Sequence, residues 1–387
     1  MLEIIHRKKR LSSFKLIALG FAGVIVLGAL ILMLPFSSNT GSVTPKISLM
    51  QRSTMQDAIS APKDGGNVRL TRFIVRGTFL IELIGMFAML PVFCRDHGFK
   101  GIWMAAFHSV SAFCNAGFDI LGTTENKYPS LTGYVGEPTI NIVIMILIIV
   151  GGIGFLTWDD ICTNRWHFKK YRMQSKVILV TSVILIIVPA IFFFLFDFTG
   201  LPPGEKILAS LFQSVTPRTA GFNTADLTAM TESSKAIMIL LMLVGGSPGS
   251  TAGGIKTTTL AVLILNAFSV CRKKNDTEVY GRRLECSAVK SASTIAVIYF
   301  LLFFIGGIII STAEGMPLSA CLYETASAVG TVGLTLGVTP QLSVFSQFIL
   351  IVLMYLGRVG GLTLIYAAIS NKNQSGAKLP LEKITVG

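Results

Sequence analysis

The chain has 387 residues, 52% of them hydrophobic and 14% charged, with a net charge of +13 and a mean hydropathy of +0.67. Soluble chains carry roughly a quarter charged residues, so this surface cannot be covered for water and most of it must face lipid. The positive charge does not indicate nucleic acid, because the basic residues sit between apolar runs rather than on a separate polar domain.

In chain order, apolar runs lie near 14–35, 70–92, 138–157, 177–198, 236–270, 288–312 and 341–369. Each is long enough to cross about 30 Å of hydrocarbon. Arg7 to Arg10 precede the first run. Arg165, Lys169, Lys170, Arg172 and Lys176 fill one loop, and Arg272, Lys273, Lys274, Arg282, Arg283 and Lys290 fill another. The alternate loops are poor in Lys and Arg, a bias that places the basic loops in the cytoplasm. The first run is too long for a secretory signal and has no small-residue cleavage site, so it reads as a retained helix. Six scattered cysteines show neither a disulfide framework nor metal-ligand spacing. No nucleophile–base pair or cofactor motif is evident, so an enzyme is not expected.

Three shorter segments separate the long runs: 103–119, 206–223 and 318–335. Each has about a dozen residues of helical character, too few to span a bilayer. Each closes on a similar tetrapeptide, Asn115-Ala116-Gly117-Phe118, Thr219-Ala220-Gly221-Phe222 and Thr331-Val332-Gly333-Leu334. The glycines are 104 and 112 residues apart, and a long run with paired glycines follows each: Gly151-Gly152, Gly245-Gly246 and Gly360-Gly361. Helix, short helix, glycine and second helix therefore form an internal repeat. Its chemistry is that of a cation path. Backbone carbonyls replace hydration oxygens, glycine allows the angles that aim them, and each short helix ends its dipole toward the cavity.

On the motifs SAFCNAGF, SVTPRTAGF, ASAVGTVGL, GGSPGSTAGGIKTTT (245–259) and GRVGGLT (357–363), the chain resembles the Trk/Ktr/HKT superfamily of potassium transporters, most closely KtrB-like subunits. The resemblance implies an all-α polytopic membrane protein of helix–pore loop–helix units around a central pore. It implies a filter of Asn115, Ala116, Gly117, Thr219, Ala220, Gly221, Thr331, Val332 and Gly333. It also implies an intramembrane gating loop with Gly245, Gly246, Ser247, Gly249, Gly253, Gly254 and Lys256, and an Arg358 that faces the pore and contacts that loop. K+ is the implied cargo, with sodium involvement as in Ktr systems, and no cofactor. The implied setting is the bacterial plasma membrane with both termini cytoplasmic, as a homodimer in lipid paired with a cytosolic RCK-type nucleotide-binding regulatory subunit. His108 reads as packing. Glu82 and Glu324 read as structural or path-shaping, and Asp119 and Glu125 as residues of the outer mouth.

The repeat divides the chain into 1–69, 70–170, 171–286, 287–372 and a tail, 373–387. First helices begin near 70, 177 and 288, yet the first of all begins near 14. A filter glycine expected near position 60 is replaced by Ser60-Ala-Pro-Lys-Asp-Gly-Gly66. Three units are complete and one is incomplete, and the resemblance implies a seam near Pro45-Lys46. Lys46, Arg52, Lys63, Arg69, Arg72 and Arg76 favour the same side as the N-terminus, although a single crossing separates them. The alternative function is a truncated, non-conducting member that acts as an assembly partner or is a deletion product.

Overall fold

The computed structural model describes residues 67–123, 129–274 and 276–359. The expected filter position near 60, Glu125, Gly360-Gly361 and the tail lie outside them. Among the described residues three helices are long and apolar enough to cross a membrane. These are α1 (Asn67–His97), α5 (Met173–Phe196) and α9 (Cys286–Glu314). A short helix follows each: α2 (Lys100–Phe113), α6 (Pro203–Val215) and α10 (Leu318–Gly330). The second helices are α3 (Pro138–Gly152), α7 (Glu232–Leu243) and α11 (Val344–Val359).

Two second helices are extended by further pieces. The run at 138–157, read from hydropathy as one span, breaks after Gly152 and continues as α4 (Phe155–Asn164), bent by 100°. Gly154 makes this possible: its φ is +89° and a side chain there would run into the Pro248 carbonyl. The run at 236–270 breaks between α7 and α8 (Thr257–Cys271). The departure from an all-α fold is a two-stranded ribbon of Glu278–Val279 and Arg282–Arg283. It closes through Tyr280 and Gly281, both at positive φ, as a tight two-residue hairpin requires.

Packing follows the repeat. Each first helix lies on its own short helix, α1 on α2, α5 on α6 and α9 on α10. Each second helix also lies on the short helix of the following unit, α3 on α6 and α7 on α10. Phe212 and Val215 of α6 thereby join the core of Ile140, Ile144 and Ile148 from α3. Met238 and Leu241 of α7 join that of Tyr323 and Val329 from α10. The two elements without such a neighbour among the described residues are α2 on one flank and α11 on the other. Both carry exposed apolar faces: Ile102, Trp103 and Val110 on α2, and Val344, Phe345, Phe348, Ile351 and Val352 on α11. The latter recur at helical spacing along one stripe.

Candidate functional site

The short helices stop where the candidate filter segments begin, and the reason is local. Asn115, Thr219 and Thr331 have φ of 50°, 71° and 54°, and Gly117, Gly221 and Gly333 have φ of 71°, 83° and 94°. The residues between them, Ala116, Ala220 and Val332, stay outside the positive region. Reversing handedness at alternate residues turns successive carbonyls toward one side, where a regular strand would alternate them. The first position of each triplet tolerates this at a cost of about 1–2 kcal/mol for a threonine; glycine at the third position removes the penalty.

The triplets, a hundred residues apart in sequence, meet at these glycines. A side chain on Gly117 would overlap the Ala220 carbonyl oxygen and come within 3.0 Å of the Gly221 Cα; one on Gly221 would overlap the Val332 carbonyl oxygen. The backbones of the second and third units therefore touch at Gly117 and Gly221.

Hydroxyls brace each segment. Ser111 Oγ donates to the Phe118 carbonyl at 2.8 Å and Thr216 Oγ1 donates to the Phe222 carbonyl at 2.6 Å. In the last unit Ser327 Oγ accepts from the Gly333 N–H at 3.1 Å. Sequence reasoning missed these clasps, although a hydroxyl recurs five or six residues before every glycine.

The loop between α7 and α8 is docked beneath this ring by backbone bonds. Gly245 N–H donates to the Ile255 carbonyl at 2.8 Å, and Thr257 N–H to the Gly246 carbonyl at 3.1 Å, which closes the loop on itself. Ser247 N–H donates to the Gly152 carbonyl and Phe155 N–H to the Gly249 carbonyl, both at 2.9 Å. Thr251 Oγ1 lies 3.1 Å from both the Phe113 and Gly151 carbonyls. The same loop approaches the other two units. A side chain on Gly245 would come within 3.0 Å of Thr219 Cγ2, one on Gly253 would overlap Thr331 Oγ1, and one on Gly254 would lie 3.4 Å from the Gly330 carbonyl. Lys256 ends the loop and donates to the Ala252 carbonyl at 2.6 Å.

The model of the TrkH cation transport protein family matches residues 5–376. The chain belongs to the TrkH family. It is 32% identical over 450 aligned residues to the potassium/sodium uptake protein NtpJ of Enterococcus hirae, covering 98% of each chain. It is 33% identical to the Ktr system potassium uptake protein B of Bacillus subtilis over 96% of this chain and 82% of that one. The crystal structure of the potassium transporter TrkH from Vibrio parahaemolyticus superimposes with a TM-score of 0.63 at 19% identity, over 91% of this chain and 70% of that one. That likeness establishes the fold. Membership of a cation transport family, together with the apolar helices, makes this a membrane protein.

Within this TrkH-family chain the remaining candidates have defined places. Arg358 stands exposed in the last turn of α11, with no hydrogen bond or ion pair among the described residues. The expected contact with the loop is therefore electrostatic only: Arg358 is near enough to Lys256 for the two charges to interact. The physical reason is that both the loop lysine and Arg358 are cations, so the pair repels. Gly357, next to it, packs on the Val329 carbonyl of α10 as Gly151 packs on the Phe113 carbonyl of α2. The close-packing glycine of the last unit is thus Gly357, and Gly360-Gly361 lie beyond the described residues.

His108 is buried, bonded through Nδ1 to the Met104 carbonyl at 2.7 Å, and stacked on Phe93 at 5.1 Å. Glu324 is buried behind the last triplet. It accepts from Thr335 Oγ1 at 2.6 Å, Leu336 N–H at 3.1 Å and Thr339 Oγ1 at 2.6 Å, and so ties the chain leaving Gly333 to α10. Glu82 lies half-buried on α1. Asp119 accepts from the Leu121 N–H at 3.1 Å, a local turn after the Gly117 segment. After Gly221, Asp226 accepts from the Thr228 N–H and hydroxyl. Those bonds hold its carboxyl below the usual carboxylate range, so it is a standing negative charge that sequence reasoning overlooked.

Proposed function

We propose that this chain carries potassium ions across a bacterial plasma membrane through the ring formed by Asn115–Gly117, Thr219–Gly221 and Thr331–Gly333. The observation that carries the reading is the convergence of three triplets with the same alternation of φ on one set of touching glycines. Alternating handedness is useful for presenting carbonyl oxygens to a bare cation. Two relatives named for potassium or potassium/sodium uptake support the cargo. Sodium involvement follows from the name of the first of these.

The loop Val244–Lys256 is the gate of this pathway, with Gly245, Gly246, Ser247, Gly249, Gly253, Gly254 and Lys256 as its working residues and Arg358 as a positive charge beneath it. The likeness to a Ktr system protein supports work within a Ktr-type complex with a regulatory subunit, which on this reading is a cytosolic RCK-type nucleotide-binding protein bound to a homodimer of this chain. The basic residues Arg7 to Arg10 support a cytoplasmic N-terminus. Growth of a potassium-uptake-deficient strain at low potassium tests the proposal. Expression of this chain should restore growth, and absence of growth despite normal membrane expression would remove potassium uptake from this chain.

A second reading is favoured by a specific observation. The alignment with the Enterococcus hirae protein runs over 450 positions, and the 98% of this chain that it includes fills about 379 of them, leaving about 71 opposite gaps, about the size of a pore loop and a helix. The unpartnered faces of α2 and α11 and the contact between Gly117 and Gly221 fit a ring that lacks one quarter. On this reading the chain is a truncated, non-conducting member that assembles with complete subunits. Failed rescue combined with co-purification of a complete transporter would select it.

A further inference from the structure

One buried charge is not used by anything above. Arg218 directly precedes the first positive-φ residue of its triplet, where the other units have Cys114 and Gly330. It is 4% exposed, so its guanidinium does not reach pore water. Nη2 donates to Ser182 Oγ of α5 at 3.1 Å. Nε is buried with no hydrogen-bond partner. No carboxylate among the described residues forms an ion pair with it.

A buried cation without a counter-charge is costly, and its placement explains how it is tolerated. It lines a small cavity with Val215, the last residue of α6, and with Ile149 and Gly152 at the end of α3. Two helix C-termini with their partial negative charge converge there. In offsetting them, Arg218 also cancels part of the negative potential that α6 aims at the ring. The third unit then attracts cations less than its neighbours do.

We propose that Arg218 is a specificity-determining residue of the cation path, a fixed positive charge behind the Thr219–Gly221 segment that disfavours divalent ions relative to monovalent ones. The inference rests on the cation-path reading given above. The Coulomb energy scales with the charge of the ion, so the field of Arg218 acts twice as strongly on a divalent cation. Whatever factor its removal adds to potassium affinity, the factor for a divalent ion at the same place is about the square of it.

The test is calorimetric titration of the purified full chain with KCl and with BaCl2. Arg218→Gln should tighten both ions. A gain of about threefold for K+ should accompany one of about ninefold for Ba2+, as the charge scaling requires. Arg218→Lys keeps the charge and should match the parent. Ser182→Asp keeps the arginine but neutralises its field, and should reproduce Arg218→Gln; it decides the matter if Arg218→Gln does not fold. The inference is overturned if Ba2+ gains no more than K+, if Arg218→Lys behaves as Arg218→Gln, or if both neutralising variants fail to fold while Arg218→Lys folds. If the parent binds neither ion, the cation-path reading falls as well. Binding of K+ by the parent with no change in the variants removes only the role of Arg218.

Discussion

The α3–α6 and α7–α10 contacts and the outer faces of α2 and α11 are built from the same kinds of element, yet they are finished differently. Where a second helix meets the next short helix, the side chains are buried: Phe212 and Val215 on α6, and Tyr323 and Val329 on α10. On α11, the second helix with no following unit among the described residues, Phe348 is 63% exposed and Val344 83%. On α2, which has no preceding unit there, Trp103 is 67% exposed. Exposed apolar side chains are ordinary on the lipid-facing helices α1, α5 and α9. On elements that meet a neighbouring unit elsewhere in the fold, they mark the two sides on which such contacts end among the described residues.

The strongest way to break this comparison is to restore the contact. On the truncated reading, inserting the roughly 70 additional residues of the Enterococcus hirae relative at Pro45-Lys46 should raise potassium uptake more than tenfold over the native chain, read as growth at low potassium. Equal uptake by the two chains would show that the flank needs no further unit. Next in size is Gly221→Ala, which sets a methyl group against the Val332 carbonyl at a φ of 83°. It should lose most ion binding and about 2–4 kcal/mol of stability, from overpacking plus strain, as followed by thermal unfolding in detergent.

A matched pair then compares the flanks directly. Phe212→Ala, on the covered side, should cost about 3–5 kcal/mol, as expected for a buried aromatic. Phe348→Ala, on the uncovered side, should change stability by less than about 0.5 kcal/mol. Similar losses for both would mean that Phe348 is covered in the native assembly. The smallest effect is expected for Thr251→Ala, which removes the hydroxyl placed between the Phe113 and Gly151 carbonyls. The cost should be about 1 kcal/mol, with faster amide exchange confined to Val244–Lys256.

The spans and the repeat were legible because they rest on properties that a sequence states directly. Apolar length marks the membrane helices, and the recurring glycines mark positions where the backbone adopts positive φ, with another strand too close for a side chain at Gly117 and Gly221. The 100° bend after Gly152 was not legible. Hydropathy does not register a change of direction, and glycine pairs are ordinary in membrane helices. The touch between Gly117 and Gly221, the role of Gly357 in place of a later pair, and the absence of a bond from Arg358 to the loop all depend on which elements become neighbours. Arg218 was visible as a residue of SVTPRTAGF, but its burial without a carboxylate could not be read from the motif. Asp226 and the hydroxyl clasps were hidden for a different reason, since Ser, Thr and Asp are common in loops and only their bonding partners set these apart.

The placement of each second helix on the next unit's short helix also bears on biogenesis. Domains are generally completed from the N-terminus as synthesis proceeds. In this fold α3 is in the membrane before α6 is made, and α7 before α10, so each unit leaves behind the surface on which its successor settles. Insertion would then proceed like a wall laid course by course, with a direction set by the ribosome. Among the described residues, α2 is the short helix that finds its place without such a guide.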